Sequence, residues 1–171
     1  MKQELDLNMN DSTRACKIYI MVGTPASGKT TWAINHLPWC YMVSRDDIRF
    51  HILYNKGGTY FAHETEVFDQ FVSAIARCVD ETHYDCIADA THINEASRAK
   101  LFKALRQRIK GNYDIYLVCM DTVLAKCLKR NEQREGYANV PEDAIKRMSD
   151  RLTMPHMDED EHIKGIWVVR E

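Results

Sequence analysis

Few folds are open to a chain in which the apolar run Ile18-Tyr19-Ile20-Met21-Val22 ends directly in Gly23-Thr24-Pro25-Ala26-Ser27-Gly28-Lys29-Thr30. The octapeptide fits G-x-x-x-x-G-K-[ST] at every fixed position. It also sits where the pattern has physical meaning, between a buried strand and the helix-compatible Thr31-Trp32-Ala33. In that setting the backbone turns its N–H groups inward around a polyphosphate, and the N-terminus of the following helix adds partial positive charge. Side chains at Gly23 and Gly28 would block the approach. The spacing therefore predicts an ATP-phosphate loop over residues 23–31, with Lys29 reaching the β- and γ-phosphates and the Thr30 hydroxyl ligating Mg²⁺.

The rest of the chain supplies the scaffold that such a loop requires. Similar, largely apolar runs recur at residues 40–43, 85–88, 113–120 and 166–169, each with the length of a strand buried on both faces. Between them lie helical patterns. Val67, Phe68, Phe71, Ala74, Ile75, Cys78 and Val79 share one face, as do Ala99, Phe102, Leu105 and Ile109, and Leu124, Cys127 and Leu128. Pro141, Glu142 and Asp143 announce a further helix whose expected core face is Ile145, Met148 and Leu152. This alternation predicts an α/β fold: a parallel, five-stranded sheet flanked by helices, binding ligands beyond the carboxyl ends of its strands.

With 171 residues, 45% of them hydrophobic and 28% charged, the chain has the size and composition of one globular domain. Residues 17–171 are assigned to it, and the polar residues 1–16 are read as a flexible N-terminal arm. The 23 basic and 25 acidic side chains leave a net charge of −2, so any contact with nucleic acid must come from a local patch. No apolar run approaches the roughly 18 residues of a membrane span, and residues 1–16 lack the apolar stretch of a signal peptide. A cytoplasmic protein without a membrane partner is expected. The six cysteines form no C-x-x-C pair and sit mostly in apolar runs, where a reduced thiol acts as a small hydrophobe.

A phosphate loop does not name a reaction; the other strand ends narrow it. After the second apolar run stands Ser44-Arg45-Asp46-Asp47-Ile48-Arg49. On a helix starting near Arg45, Asp46 and Arg49 are i and i+3 and face the same way. The carboxylate can take the proton of an attacking hydroxyl, and the guanidinium can grip an anionic part of the acceptor. The third run ends in Asp89-Ala90-Thr91-His92-Ile93-Asn94. Asp89 could hold Mg²⁺ through water or orient Thr30 or Lys29; Thr91 could bind acceptor or, like Asn94, cap the next helix. His92 is read as a hydrogen-bonding loop residue before a general base. Arg130 and Arg134, on the connector before Pro141, suit a lid that neutralises charge on a transferred phosphoryl group. Arg98, Lys100, Lys103, Arg106, Arg108 and Lys110 read as the wet face of a helix, with a nucleic-acid stripe as the alternative. The acidic run of residues 158–161 reads as a solvated linker.

Taken together, GTPASGKTTWA, SRDDIR, DATHIN and KRNEQREGYANVPEDAIKRM, spread over residues 17–152, resemble the 5′-polynucleotide kinase family. The resemblance implies a P-loop kinase fold with an arginine-bearing lid that moves the ATP γ-phosphate to 5′-hydroxyl ends of DNA or RNA, in the repair of broken ends. It implies Asp46 as general base, Arg49 as the ligand of the acceptor's 3′-phosphate, and Arg134 on the ATP phosphates, beside the Arg130 that the connector itself suggests. Asp89 and Thr91 fall in the acceptor loop, with Ala90 inserted between them. Thr30 and Asp46 take the Mg²⁺ side. Two other readings stay open: a small-molecule or nucleotide-sugar kinase, as in zeta-toxin-like proteins, and a non-catalytic ATP-binding switch. The scarcity of aromatics near the acceptor motifs leans toward the small-molecule reading.

Overall fold

A computed structural model describes residues 14–170. Five strands, β1 (Cys16–Val22), β2 (Tyr41–Ser44), β3 (Cys86–Asp89), β4 (Tyr113–Asp121) and β5 (Ile163–Arg170), form one sheet in the order β2-β3-β1-β4-β5. Every neighbouring pair is parallel. The connections carry α1 (Lys29–His36), α2 (Arg45–Lys56), α3 (Glu64–Arg77), α4 (Glu95–Arg108), α5 (Leu124–Glu132) and α6 (Glu142–Asp150). Because all strands run the same way, the segments after β1, β2, β3 and β4 leave from one edge of the sheet. The phosphate loop, Arg45, Ala90 and Thr122 are thereby neighbours before any side chain is considered.

The central strand is apolar from Ile18 to Val22 because both of its faces are covered. Ile18, Ile20 and Val22 point into a core with Phe71, Ile75, Leu101, Phe102 and Leu105 of α3 and α4, while Tyr19 and Met21 point the other way onto Ala33 and Leu37 at α1. Each fully buried side chain of this kind contributes roughly 1.5–3 kcal/mol. A third, smaller cluster of Cys127, Val140, Ala144 and Ile145 locks α5 to α6. Asn94 caps α4 as its sequence suggests: its side chain accepts from Ser97 N at 2.9 Å, and Ser97 Oγ accepts from Asn94 N.

Several expectations change in the structure. Burial on both faces holds for the inner strands but not at the edges, where Tyr41 of β2 and Trp167 and Val168 of β5 are exposed. An apolar run reports hydrophobicity, and it cannot say which strand has a neighbour on only one side. The N-terminal arm lies outside the described residues as far as residue 13; β1 begins at Cys16, and Arg14 already pairs with Asp85 at 2.9 Å. Met148 of α6 lines a cleft, described below, instead of joining the core.

Arg98 is not on a wet face. It is fully buried, with Nε and Nη2 each 2.7 Å from the Glu159 carboxylate and Nη1 donating to the carbonyls of His92 at 3.2 Å and Thr153 at 3.0 Å. The acidic run is solvated only at its ends, Asp158 and Glu161, since the side chains of Glu159 and Asp160 are both buried and both paired, Asp160 with Arg106 and His162. Arg108 is held by Asp69, and Lys100 lies over the Phe68 ring. Lys100, Lys103, Arg106, Arg108 and Lys110 are exposed, as a wet helix face should be, but Arg106 and Arg108 are each paired with a carboxylate of the chain. Among the described residues no helix is long and apolar enough to cross a membrane.

Candidate active site

The phosphate loop is shaped from behind. Gly23 has φ of 151°, and a Cβ there would stand 2.8 Å from Ser27 Oγ and 3.2 Å from Met120 Cβ. Gly28, at φ 96°, opens α1, and Ala26 also adopts a left-handed conformation at φ 59°. Thr24 and Ser27 are buried and face the protein. Thr24 Oγ1 lies 3.3 Å from Cys127 Sγ, and Thr122 Oγ1 donates to the Ser27 carbonyl at 2.9 Å. The residues that face the cleft are Pro25, Ala26, Gly28, Lys29, Thr30 and Thr31. The Lys29 ammonium donates to the carbonyls of Gly23 at 3.0 Å and Thr24 at 2.7 Å. Burial pushes its pKa down to about 8, against the opposing pull of the Asp89 and Asp46 carboxylates.

The loop after β3 is pinned at four points. The Thr91 carbonyl accepts from Gly23 N at 2.9 Å, and the Ile93 carbonyl accepts from Thr153 N at 2.9 Å. The His92 carbonyl is taken by Arg98, and His92 Nδ1 donates to the Met21 carbonyl at 2.8 Å. A carbonyl can only accept, so this nitrogen carries the proton. His92 is buried against Phe71, and burial lowers its pKa to about 4. It is a neutral structural residue facing away from the cleft, which excludes the general-base reading in this geometry.

Asp89, at the end of β3, accepts from Thr30 Oγ1 at 2.6 Å. Burial raises its pKa, opposed by that hydrogen bond and by Lys29. A hydroxyl and a carboxylate this close are hard oxygen donors of the kind Mg²⁺ takes when phosphates supply the remaining ligands. Thr30 and Asp89 therefore fit the ion. Asp46 fits less well, because its Oδ1 is committed to other groups.

Those groups form the acceptor wall. Ser44 Oγ accepts from Asp47 N at 3.1 Å and starts α2, which sets Asp46 and Arg49 on one face, where they form an ion pair. Arg49 is only 7% exposed at its side chain and is held on every side: Nε and Nη2 lie 2.9 and 3.2 Å from the Glu64 carboxylate, and Nη1 donates to Tyr60 Oη at 3.1 Å. Tyr60 donates in turn to Asp46 Oδ1 at 3.0 Å, and burial keeps it protonated by raising its pKa to about 12. Arg45 closes the group with a 2.9 Å bond to Glu64. Tyr60 and Glu64 come from the segment after the Gly57-Gly58 turn. No motif marked them, and the double glycine, both members at positive φ, was the only local signal.

The lid places one of its two arginines. Arg134 lines the cleft, whereas Arg130 is half-buried and is not among the lining residues. The connector is held by buried Asn131, whose amide donates to the Val140 carbonyl at 2.7 Å and to Asn139 Oδ1 at 3.1 Å, while its Oδ1 accepts from Val140 N at 3.0 Å. The cleft enclosed by loop, acceptor wall, Asp89–Thr91 and lid has a volume of about 250 Å³. It brings together Lys29, Thr30, Asp46, Arg49, Asp89, Thr91 and Arg134.

Comparison with known proteins agrees with this architecture. The model of the AAA domain family matches residues 18–155. No curated protein matches the sequence. Among solved structures, a candidate kinase from Chloroflexus aurantiacus J-10-fl superposes with a TM-score of 0.71 at 12% identity, covering 92% of this chain and 86% of that one. A sugar kinase from Janibacter sp. HTCC2649 gives 0.62 at 14% identity, with 92% and 86% coverage. A chain of the Pnkp1/Rnl/Hen1 RNA repair complex gives 0.66 at 22% identity, covering 84% of this chain and 46% of that one. At these identities the likeness establishes the fold, that of P-loop kinases, and leaves the substrate open.

Proposed function

This chain belongs to the AAA domain family, and on that premise we propose that it is a Mg²⁺- and ATP-dependent kinase of 5′-hydroxyl ends of DNA or RNA, acting in end healing. The observation that carries the reading is that Asp46 and Lys29 line one cleft, a carboxylate on the acceptor wall across from the phosphate loop. ATP phosphates would draw Lys29 from the Gly23 and Thr24 carbonyls onto the β- and γ-oxygens, while the backbone N–H groups of the loop cradle the rest. Tyr60, whose pKa burial raises, orients the Asp46 carboxylate through its hydroxyl. The acceptor hydroxyl loses its proton to Asp46 as the bond from its oxygen to Pγ forms and the bond from Pγ to the bridging oxygen of ADP breaks. Arg134 neutralises the oxygens of the phosphoryl group in flight. Thr30 and Asp89 would hold Mg²⁺, which would supply positive charge to the phosphates. Positioning and fixed charge provide most of the rate.

A second reading rests on one observation. Glu64 already occupies Arg49, so an acceptor bearing a phosphate must displace or share that carboxylate, whereas a neutral sugar or nucleoside need not. Incubating the protein with labelled ATP and 5′-OH DNA, 5′-OH RNA, mononucleotides and sugars separates the two. Labelling of the nucleic-acid ends supports the proposal. Labelling of sugars alone overturns it, and ATP binding with no transfer to any acceptor makes the protein a switch.

A further inference from the structure

Four aromatic rings form a connected group on the acceptor side, and two of them, Tyr60 and Phe61, line the cleft, contrary to the aromatic-poor picture given by the motifs themselves. Phe50 lies on α2, Tyr60 and Phe61 on the segment after Gly57-Gly58, and Tyr137 on the lid. Tyr60 and Phe61 meet edge to face with centroids 4.7 Å apart and a 79° angle. Phe50 touches Tyr60 at 6.3 Å and stacks on Tyr137 at 6.2 Å and 23°. The opposite function of Tyr60 is polar: its hydroxyl is on Asp46 Oδ1, and its ring carries the Arg49 guanidinium 4.6 Å from its centroid.

Phe61 differs from the other three. It lines the cleft and yet is 49% exposed, so an apolar ring faces water one side chain away from the carboxylate that receives the acceptor's proton. Nothing in the fold requires an aromatic there. Its rigidity is supplied from beneath by Tyr60, which the Asp46 and Arg49 contacts hold in place. A firm, exposed π-face beside an acceptor carboxylate and two arginines suits a ligand that is flat and aromatic at one end and carries a hydroxyl at the other.

We propose that Phe61, backed by Tyr60, is the platform on which the 5′-terminal nucleobase of the acceptor stacks while its 5′-hydroxyl lies at Asp46. This rests on the polynucleotide-kinase reading and adds to it the element that selects a base-bearing end. Stacking is tolerant of base identity because every base has a π-face, so the platform favours nucleotides over sugars without reading sequence. Tyr137, exposed on the lid and stacked on Phe50, brings the lid to the same aromatic group.

The test compares two oligonucleotides with a 5′-hydroxyl, one with a normal 5′-terminal base and one with an abasic 5′-terminal nucleotide, by acceptor KM at saturating ATP and Mg²⁺. The wild-type protein should prefer the base-bearing end by about ten-fold or more. F61L should collapse that ratio toward one, and F61W should hold or enlarge it. A 5′-terminal 2-aminopurine should be quenched on binding to wild type and much less on binding to F61L. Equal KM values for the two ends in wild type, or an F61L variant that keeps the full ratio, overturns the platform while leaving the kinase reading standing. If neither oligonucleotide is phosphorylated and sugars are, both fall together.

Discussion

The two walls of the cleft are built on different principles. The phosphate wall is a single contiguous stretch, residues 23–31, whose working groups are backbone N–H groups and one lysine. Its shape is enforced by buttresses behind it: Thr122 on the Ser27 carbonyl, Cys127 against Thr24, and the Thr91 carbonyl on Gly23 N. The acceptor wall is a mesh of side chains from two segments, with Asp46, Arg49 and Arg45 on α2 and Tyr60 and Glu64 beyond the glycine turn. A backbone site tolerates changes at most of its side chains. A side-chain mesh tolerates few, because each member satisfies another.

The contrast can be broken or sharpened by experiment, beginning with the largest expected effect. D46N should lower transfer to a 5′-OH oligonucleotide by about 10²- to 10⁴-fold with the ATP affinity retained, as measured by initial rates and nucleotide titration. Near-normal turnover would remove the base assignment and with it the chemical meaning of the mesh. Next, the pinning of the loop after β3 should appear as pH-dependent stability. The His92 pKa is lowered from 6.5 to about 4 in the fold, so the unfolded chain takes the proton first as pH falls. Stability should therefore decline between pH 6.5 and 4, by up to about 3 kcal/mol, as read from urea midpoints. H92N should flatten that segment of the curve, since asparagine tolerates the left-handed backbone there, at φ 41°.

Smaller effects separate the walls more finely. E64Q should raise the KM of an acceptor that places no phosphate at Arg49 by about ten-fold, since a hydrogen bond to a charged group is worth roughly 1.5–3 kcal/mol and the amide lacks the charge that holds Arg49 in the wall. The ATP KM should not move; a parallel rise in both would mean that the two walls are one mechanical unit. On the phosphate side, Lys29 with its pKa near 8 is charged below that pH and neutral above it. Affinity for ATP should fall by up to about ten-fold between pH 7 and 9, because the bound anion favours the protonated lysine. An affinity flat across that range would mean that the backbone alone holds the phosphates.

This division also explains what could be read from the residues in order. The phosphate wall was legible because its function needs contiguous residues with fixed spacing, and Asp46 and Arg49 because a helix puts i and i+3 on one face. The inner strands were legible from their unbroken apolar runs. Tyr60, Phe61 and Glu64 were not, because Tyr60 and Glu64 reach Arg49, and Phe61 the cleft, only through the turn of the chain at Gly57-Gly58, and no periodicity encodes that. Arg98 was misplaced for a related reason. Helical spacing put it among lysines and arginines that stay outside, and the partner that makes its burial tolerable, Glu159, stands 61 residues away. Buried charge is decided by the partner, and periodicity sees only the residue's own element.

That pairing bears on how the protein comes off the ribosome. Arg98 carries its guanidinium into the interior against the Thr153 carbonyl and the Glu159 carboxylate, so the loop carrying Asp89 and Thr91 should settle only after those residues have been synthesised. A nascent chain that has already formed the phosphate loop thus still lacks a settled far side to its cleft.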